Sequence, residues 1–462
     1  MFSDISSSPS AASPPGDAYP VAIVGGGFSG TVVASLLARS GLSVILVDGS
    51  AKVGRGTAYS TTEPAHLLNV PAERMSAFVD DSDDFLRAIA DEGGGPNTFA
   101  PRRRYGEYLR AIFDQAIAGG LVKLVAANAV SATQDSGSWE LVLDTGERLA
   151  ASALVLATGN QPPAAVRGFD DFGPYFVANP WSADALAQID TVARGGGDVL
   201  LIGTGLTMVD TVLSLEAAGF AGRITAVSRR GQLPQSHGDF EPARMAMADI
   251  PAGSLMSVWR WLRRRSAEIG WRSAIDSLRP HSQALWQSLP VADRRRFMRH
   301  ARAWWDVRRH RLAPQVAKAV EILISANRLE IVAGKVESAR TGESAIEVAL
   351  RRRGQRAAEW RHFALVINCT GPLHAISRTT DPLLRSLFDG GLAKPDDLDI
   401  GLALGEGARV VGARNLWAVG TLTKGRYWEI IAVPDIREQA AAVAVGIVED
   451  SKHVQTERNE RA

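Results

Sequence analysis

Residues 19–50 read YPVAIVGGGFSGTVVASLLARSGLSVILVDGS. The stretch is an apolar run, a glycine cluster, a segment with apolar residues at helical spacing, a Gly turn and a second apolar run ending in Asp48. That is a strand, turn, helix, strand unit. Gly25, Gly27 and Gly30 fit G-x-G-x-x-G, with Val21 to Val24 before them and the helix face Val32, Val33, Leu36, Leu37 after them. Asp48 lies 18 residues beyond Gly30 at the end of the second strand. Glycines there let backbone approach a pyrophosphate at a helix N-terminus, and the Asp accepts hydrogen bonds from ribose hydroxyls. Phe28 and Ser29 lie inside this turn and count among its candidate contacts. The alternative use of the glycines is close helix-sheet packing alone.

The same grammar returns at 198–234, DVLLIGTGLTMVDTVLSLEAAGFAGRITAVSRRGQLP. Gly203 and Gly205, followed by Leu206 and Thr207, make the second turn, and Met208 replaces the third glycine. After its second strand come Ser228, Arg229 and Arg230 in place of an acid. A guanidinium there suits a 2′-phosphate, which favours NADPH over NADH; solvated surface is the other reading. Each unit is followed by a hairpin-like segment and a buried strand ending in a Thr-Gly turn, at Thr158-Gly159 and Thr370-Gly371. Such a duplication predicts an α/β chain of two Rossmann-like dinucleotide-binding domains, the second inserted in the first, with a helical Arg/Trp-rich insertion. The expected boundaries are a disordered tail over 1–19, a first domain over 20–190, a second over 191–372 with helices at 252–325, and a return to the first over 373–462. In the last part Gly420 and Thr421 form a turn ahead of a closing helix near Pro434.

Composition narrows the chemistry. At 462 residues the chain is long enough for two or three domains at about 100 to 200 residues each. Lys+Arg of 51 against Asp+Glu of 50 leaves net +1, so no overall field draws in polyanions. The single cysteine, Cys369, excludes an intramolecular disulfide, a thiolate zinc cage, an iron-sulfur cluster and a redox cysteine pair. No His/carboxylate cluster has metal-ligand spacing, so no metal is expected. No apolar run approaches the ~18 residues of a membrane helix, and residues 1–19 have no signal-peptide pattern, so the expectation is a cytoplasmic protein with no membrane or nucleic-acid partner.

The segments GRGTAYSTTEPAHLLNVPAERMSAFVDDSDDFLRAI, PRRRYGEYL, LIGTGLTMVD and VINCTGP, with the first glycine unit, carry a family resemblance. The chain resembles the FAD- and NAD(P)-binding flavoproteins related to class B monooxygenases, whose members include N-hydroxylating enzymes and a bacterial FAD-dependent urate hydroxylase. The resemblance implies FAD in the first module, NAD(P)H in the second, and insertion of one oxygen atom from O2 into a small polar nitrogenous substrate through a flavin hydroperoxide. The named expectation is urate to 5-hydroxyisourate. The alternatives are N-hydroxylation of an amine or amino acid, NADPH oxidation or reduction without oxygen insertion, and a non-catalytic redox sensor.

By the same resemblance Asn69 lies near the reactive face of the flavin. Arg74 is a candidate for the pyrophosphate or flavin ring and otherwise a surface ion pair. Residues 252–312 hold 14 Arg, no Lys, 4 acidic residues and 6 of the 11 Trp. They are expected to form three or four helices roofing the flavin and to present Arg308, Arg309 and His310 to an anionic substrate. For an amine substrate, Asp306 is the central acid of this segment. Lys424, Arg426, Tyr427, Trp428 and Glu429 are candidates for the flavin pocket.

Overall fold

The computed structural model describes residues 19–169, 172–241, 243–342 and 345–461. The tail expected over 1–19 therefore lies, but for Tyr19, outside the described residues.

Two sheets, one parallel and one parallel except at one edge, repeat one plan. The first joins β1 (Val21–Val24), β2 (Val44–Val47), β3 (Val122–Val125), β7 (Ala153–Leu156) and β15 (Leu416–Ala418) in the order β15-β7-β1-β2-β3. Between β3 and β7, β4 (Ala129–Asp135), β5 (Ser138–Leu143) and β6 (Arg148–Ala151) form an antiparallel three-stranded sheet. The second sheet runs β13-β12-β11-β10-β9-β14-β8. Its members are β8 (Phe176–Val177), β9 (Val199–Ile202), β10 (Ile224–Ser228), β11 (Leu329–Thr341), β12 (Ile346–Arg352), β13 (Glu359–Phe363) and β14 (Leu365–Asn368). Pairing is parallel from β8 through β14, β9 and β10 to β11, and antiparallel through β12 and β13. β1, β7, β9 and β14 are short runs covered on both faces, which is why they read as unbroken apolar segments and not as alternation.

The two glycine turns are superimposable in logic. Gly25 has φ +106° and Gly203 φ +126°, both in the region that favours glycine. A methyl carbon on Gly25 would lie closer than 3.0 Å to the carbonyl of Ala157, and one on Gly203 would meet the carbonyl of Cys369 in the same way. Each turn thus crosses directly over the end of the neighbouring strand that leads into its Thr-Gly turn. The helices that follow, Phe28–Arg39 and Leu206–Ala217, bury one face each on their sheets. The C-terminal segment completes the first sheet through β15, which pairs in parallel with β7, and its closing helix Val433–Arg461 packs on Phe28–Arg39.

Two boundaries read from the sequence need correction. β8 pairs with β14, and helix Ala183–Gly195 buries Ala185, Ile189 and Val192 in the second core, so residues 176–190 belong to the second unit, not the first. A two-residue strand is too short for periodicity to register. Helix Pro314–Ser325 was placed in the insertion by its sequence, yet Val316, Ala317, Val320 and Leu323 fill the same second core.

The helical insertion contains five helices, Leu255–Ile269, Trp271–Leu278, Ser282–Ser288, Val291–Arg296 and Arg302–Arg309, one more than the upper expectation. Gly270, at φ +80°, supplies a break in addition to Pro280 and Pro290. Leu262, Ile275, Leu278, Trp286, Phe297 and Trp305 form its core, with Trp259, Trp261 and Trp271 packed against it. Of the tryptophans here only Trp304 is largely exposed. Among the described residues no helix is long and apolar enough to cross a membrane.

Candidate functional site

The first glycine turn is closed by three elements. Gly26 N–H donates to Asp48 Oδ2 at 2.6 Å, and Ser50 N–H donates to Oδ1 at 2.7 Å, so the carboxylate at the end of β2 is already aimed at the turn. Gly420 has φ +76°, and a methyl carbon there would lie 2.9 Å from Ser29 Oγ, so the C-terminal segment abuts the turn. Gln439, on the closing helix, fixes this arrangement: Oε1 accepts from Gly420 N–H at 2.8 Å and Nε2 donates to Thr423 Oγ1 at 2.9 Å. Thr158 Oγ1 and Thr421 Oγ1 are buried hydroxyls with no hydrogen-bond partner. Two orphaned hydroxyls flanking a glycine cradle fit the polar chain of a dinucleotide, since buried polar groups are otherwise satisfied. Arg74 is exposed and 3.8 Å from Glu73, the geometry of the surface pair.

Between the two modules lies a cleft of about 790 Å³. The second glycine turn, from Gly203 to Thr207, lines it with Ser228, Arg229 and Gly371. Arg229 lies exposed at the rim and makes no ion pair among the described residues. Its neighbour Arg230 is drawn away: Nη2 donates to the His300 carbonyl at 3.3 Å and the guanidinium lies over Trp304. Ser228 Oγ bonds Thr204 Oγ1 at 2.8 Å, which ties the end of β10 to the turn.

The inner wall combines the first module and the insertion. Asn69 and Asn160 come from the first, Arg302 and Asp306 from the helix Arg302–Arg309, His310 from the residue that caps it, and Lys424, Trp428 and Glu429 from the C-terminal segment. Arg426 and Tyr427 do not line it, and Tyr427 packs against the core of the first module. The backbone carbonyl of Asn69 accepts from His237 Nε2 at 3.0 Å, which leaves its side chain for the cleft. Asp306 takes Arg302 Nε on Oδ2 at 3.1 Å, and Oδ1 accepts nothing from the described residues. Burial pushes the Asp306 carboxyl up to about 6, with Arg302 opposing. Burial likewise pushes His310 and His374 down to about 4, so both rings are neutral near pH 7.

The two arginines expected to meet an anionic substrate do not face the cleft. Arg308 folds back on its own helix, donating to the Trp304 carbonyl at 3.2 Å with its guanidinium over that indole. Arg309 is buried and donates to Glu429 Oε2 at 3.1 Å, while Trp305 Nε1 donates to Oε1 at 2.5 Å. The helical repeat alone cannot say which of three adjacent basic residues points inward; the Glu429 partner, 120 positions later, decides it. Arg302, His374 and Asn160 were missed altogether. Asn160 follows the Thr158-Gly159 turn directly, so its position was the one available signal.

A buried polar joint holds the modules together. Arg102 Nη1 donates to Asp210 Oδ2 at 2.8 Å and Nε to the Leu67 carbonyl at 3.1 Å. His66 Nε2 donates to the Asp210 carbonyl at 2.9 Å, and Thr61 Oγ1 donates to Nδ1 at 2.8 Å. Asp210 sits on the helix that starts at the second glycine turn, so the joint sets where that turn lies relative to the first module.

Residues 22–161 match a protein family described as FAD-NAD(P)-binding. No curated protein matches the chain in sequence. In structure the chain is similar to L-lysine 6-monooxygenase from Pseudomonas syringae, at 17% identity and a TM-score of 0.66, covering 93% of this chain and 99% of that one. Ornithine hydroxylase from Pseudomonas aeruginosa, in its reduced form, gives 15% identity and a TM-score of 0.64 over 94% and 99%. The cadaverine monooxygenase of desferrioxamine biosynthesis from Erwinia amylovora gives 13% and 0.66 over 94% and 95%. The chain therefore has the two-dinucleotide-domain fold that these enzymes share, and its N-terminal module is of the FAD-NAD(P)-binding kind.

Proposed function

We propose that the protein is an NAD(P)H-dependent FAD monooxygenase that N-hydroxylates a primary amine. The balance is R-NH2 + O2 + NADPH + H+ giving R-NHOH + H2O + NADP+. The observation that carries the reading is Asp306, a carboxylate with one free oxygen on the wall of the cleft that the second glycine turn also lines, in a fold shared with three amine hydroxylases. The other cleft acid, Glu429, is closed off by Arg309 and Trp305.

The residues fit both cofactors. Gly25, Gly27, Gly30, Asp48, Thr158 and Thr421 would hold FAD, while Gly203, Gly205 and Arg229 would hold NADPH. The chemistry that FAD would supply when bound is transfer of the two electrons of NADPH to dioxygen and activation of one oxygen atom. The chain's own residues bind, orient and exclude: Asp306 pairs the substrate ammonium and takes its proton on the free Oδ1 to leave the neutral amine, Asn69 offers a side-chain amide from the same wall, and Met298, Val307, Trp428 and Ile431 keep the cleft apolar where water would divert the oxygen. The single cysteine leaves no redox pair for disulfide-reductase chemistry. Urate, the earlier expectation, loses its support, because Arg308 and Arg309 are turned away from the cleft and the structurally similar enzymes act on amines.

The test is NADPH oxidation by the FAD-loaded protein under 18O2 with a panel of primary amines, measuring peroxide and hydroxylamine product. Amine-stimulated oxidation with 18O in the hydroxylamine supports the reading. Amine-indifferent oxidation that ends in peroxide refutes it.

A further inference from the structure

The inner cleft carries more positive charge than its own acids compensate. Three cations, Arg302, Arg309 and Lys424, stand beside two carboxylates, Asp306 and Glu429. Glu429 is consumed by Arg309 and Trp305, so two cations remain for one carboxylate. Arg302 spends its Nε on Asp306 and turns Nη1 toward the His374 ring, a neutral partner, at 3.3 Å. Among the described residues Lys424 Nζ makes a single hydrogen bond, to Asn160 Oδ1 at 3.3 Å, long and uncharged. Lys424 follows the Gly420-Thr421 turn and lies on the cleft surface, so its ammonium faces the same space as Asp306. Burial, with Arg302 beside it, pushes Lys424 down to about 8, against the opposing pull of Asp306, which Arg302 already shares. Cations in such a place are normally paired.

We propose that Lys424 and Arg302 form a carboxylate-binding subsite next to Asp306, so that the substrate is an amine that also bears a carboxylate, an amino acid and not a diamine. The inference rests on the amine-hydroxylase reading and sharpens its substrate class. An ammonium on Asp306 and a carboxylate on Lys424 and Arg302 would together leave the wall with every charge paired. The same anion subsite could be filled by a phosphate of NADPH, and the experiment separates the two.

The holoenzyme in its oxidised form is titrated with cadaverine, 5-aminopentanoate, L-lysine and glutarate, and binding is read from the visible spectrum of the flavin. The wild type is expected to bind 5-aminopentanoate or L-lysine at least tenfold more tightly than cadaverine. Lys424→Met is expected to weaken the carboxylate probes tenfold or more, to leave cadaverine within twofold, and to leave NADP+ binding within twofold. If that variant fails to retain FAD, Lys424→Gln, which keeps the contact to Asn160, gives the same comparison. Cadaverine binding as tightly as 5-aminopentanoate, no response of the carboxylate probes to the substitution, or no binding of any carboxylate probe would each overturn the subsite. A loss confined to NADP+ would overturn it in favour of the cofactor phosphate. None of these readouts needs turnover, so failure of the hydroxylation assay stays distinguishable from failure of the subsite.

Discussion

Replacing Arg102 by Met should loosen the joint between the modules, and the structure sets the size of the effect. The Arg102 and Asp210 side chains are 15% and 8% exposed, so the pair belongs with buried ion pairs and not with surface ones worth about 0 to 1 kcal/mol. Removing one partner of a buried pair costs about 3 to 5 kcal/mol, because the other charge is left unpaired. The residual exposure of Arg102 argues for the lower end, about 3 kcal/mol, or a shift of roughly 150-fold in the folded-to-unfolded ratio. Asp210→Asn alone leaves Arg102 its bond to the Leu67 carbonyl and should cost less, about 2 kcal/mol. The double variant Arg102→Met/Asp210→Asn has no stranded charge, so the two changes should fail to add, with a coupling of about 2 kcal/mol. Urea unfolding of the holoprotein, followed by flavin fluorescence for the first module and far-ultraviolet circular dichroism for both, measures all four corners of the cycle. A cost for Arg102→Met below about 0.5 kcal/mol, or strict additivity, would refute the claim that this pair holds the modules together.

Other expectations follow from the same geometry. Gly30→Ala places a methyl group against the Gly25 carbonyl, a backbone atom that cannot move aside, and should cost on the order of 2 kcal/mol or more with loss of flavin on gel filtration. Arg229→Ala should raise KM for NADPH about tenfold while sparing NADH, whereas Arg230→Ala, held by His300 and Trp304, should change neither by more than about twofold. Amine binding should weaken as pH falls through about 6, where the Asp306 carboxyl takes a proton and its attraction for an ammonium disappears. His310 cannot be the source of that limb, since it stays neutral down to about 4, so Asp306→Asn should abolish it and a pH profile that survives the substitution would exclude Asp306.

How much could be read in advance depended on the range of the interaction. Strand, glycine turn, helix and strand are local, and their apolar runs and turn residues sit within about 30 positions, so β1, β2, β9 and β10 were legible from Val21, Gly25, Asp48, Val199 and Gly203. The duplication followed from repeating that local grammar. The two-residue β8 carries no periodic signal, and helix Pro314–Ser325 looks like its neighbours until its partner core is known. Both boundaries therefore depended on tertiary contacts.

The candidate site divides in the same way. By itself the sequence determined that two dinucleotide turns exist, that one cysteine rules out dithiol chemistry, and that an Arg- and Trp-rich helical segment is inserted, because each of these is a property of residues close together along the chain. Only the tertiary structure decided which charged side chains meet the cleft. Arg309 is neutralised by Glu429, Arg308 turns to Trp304, and Arg302, Asp306, Asn160 and Lys424 converge from three separate segments. The reason is electrostatic: a side chain's role in a desolvated cleft is fixed by the partners that pack against it, and for Arg309 and Lys424 those partners lie 120 and 264 positions away in sequence.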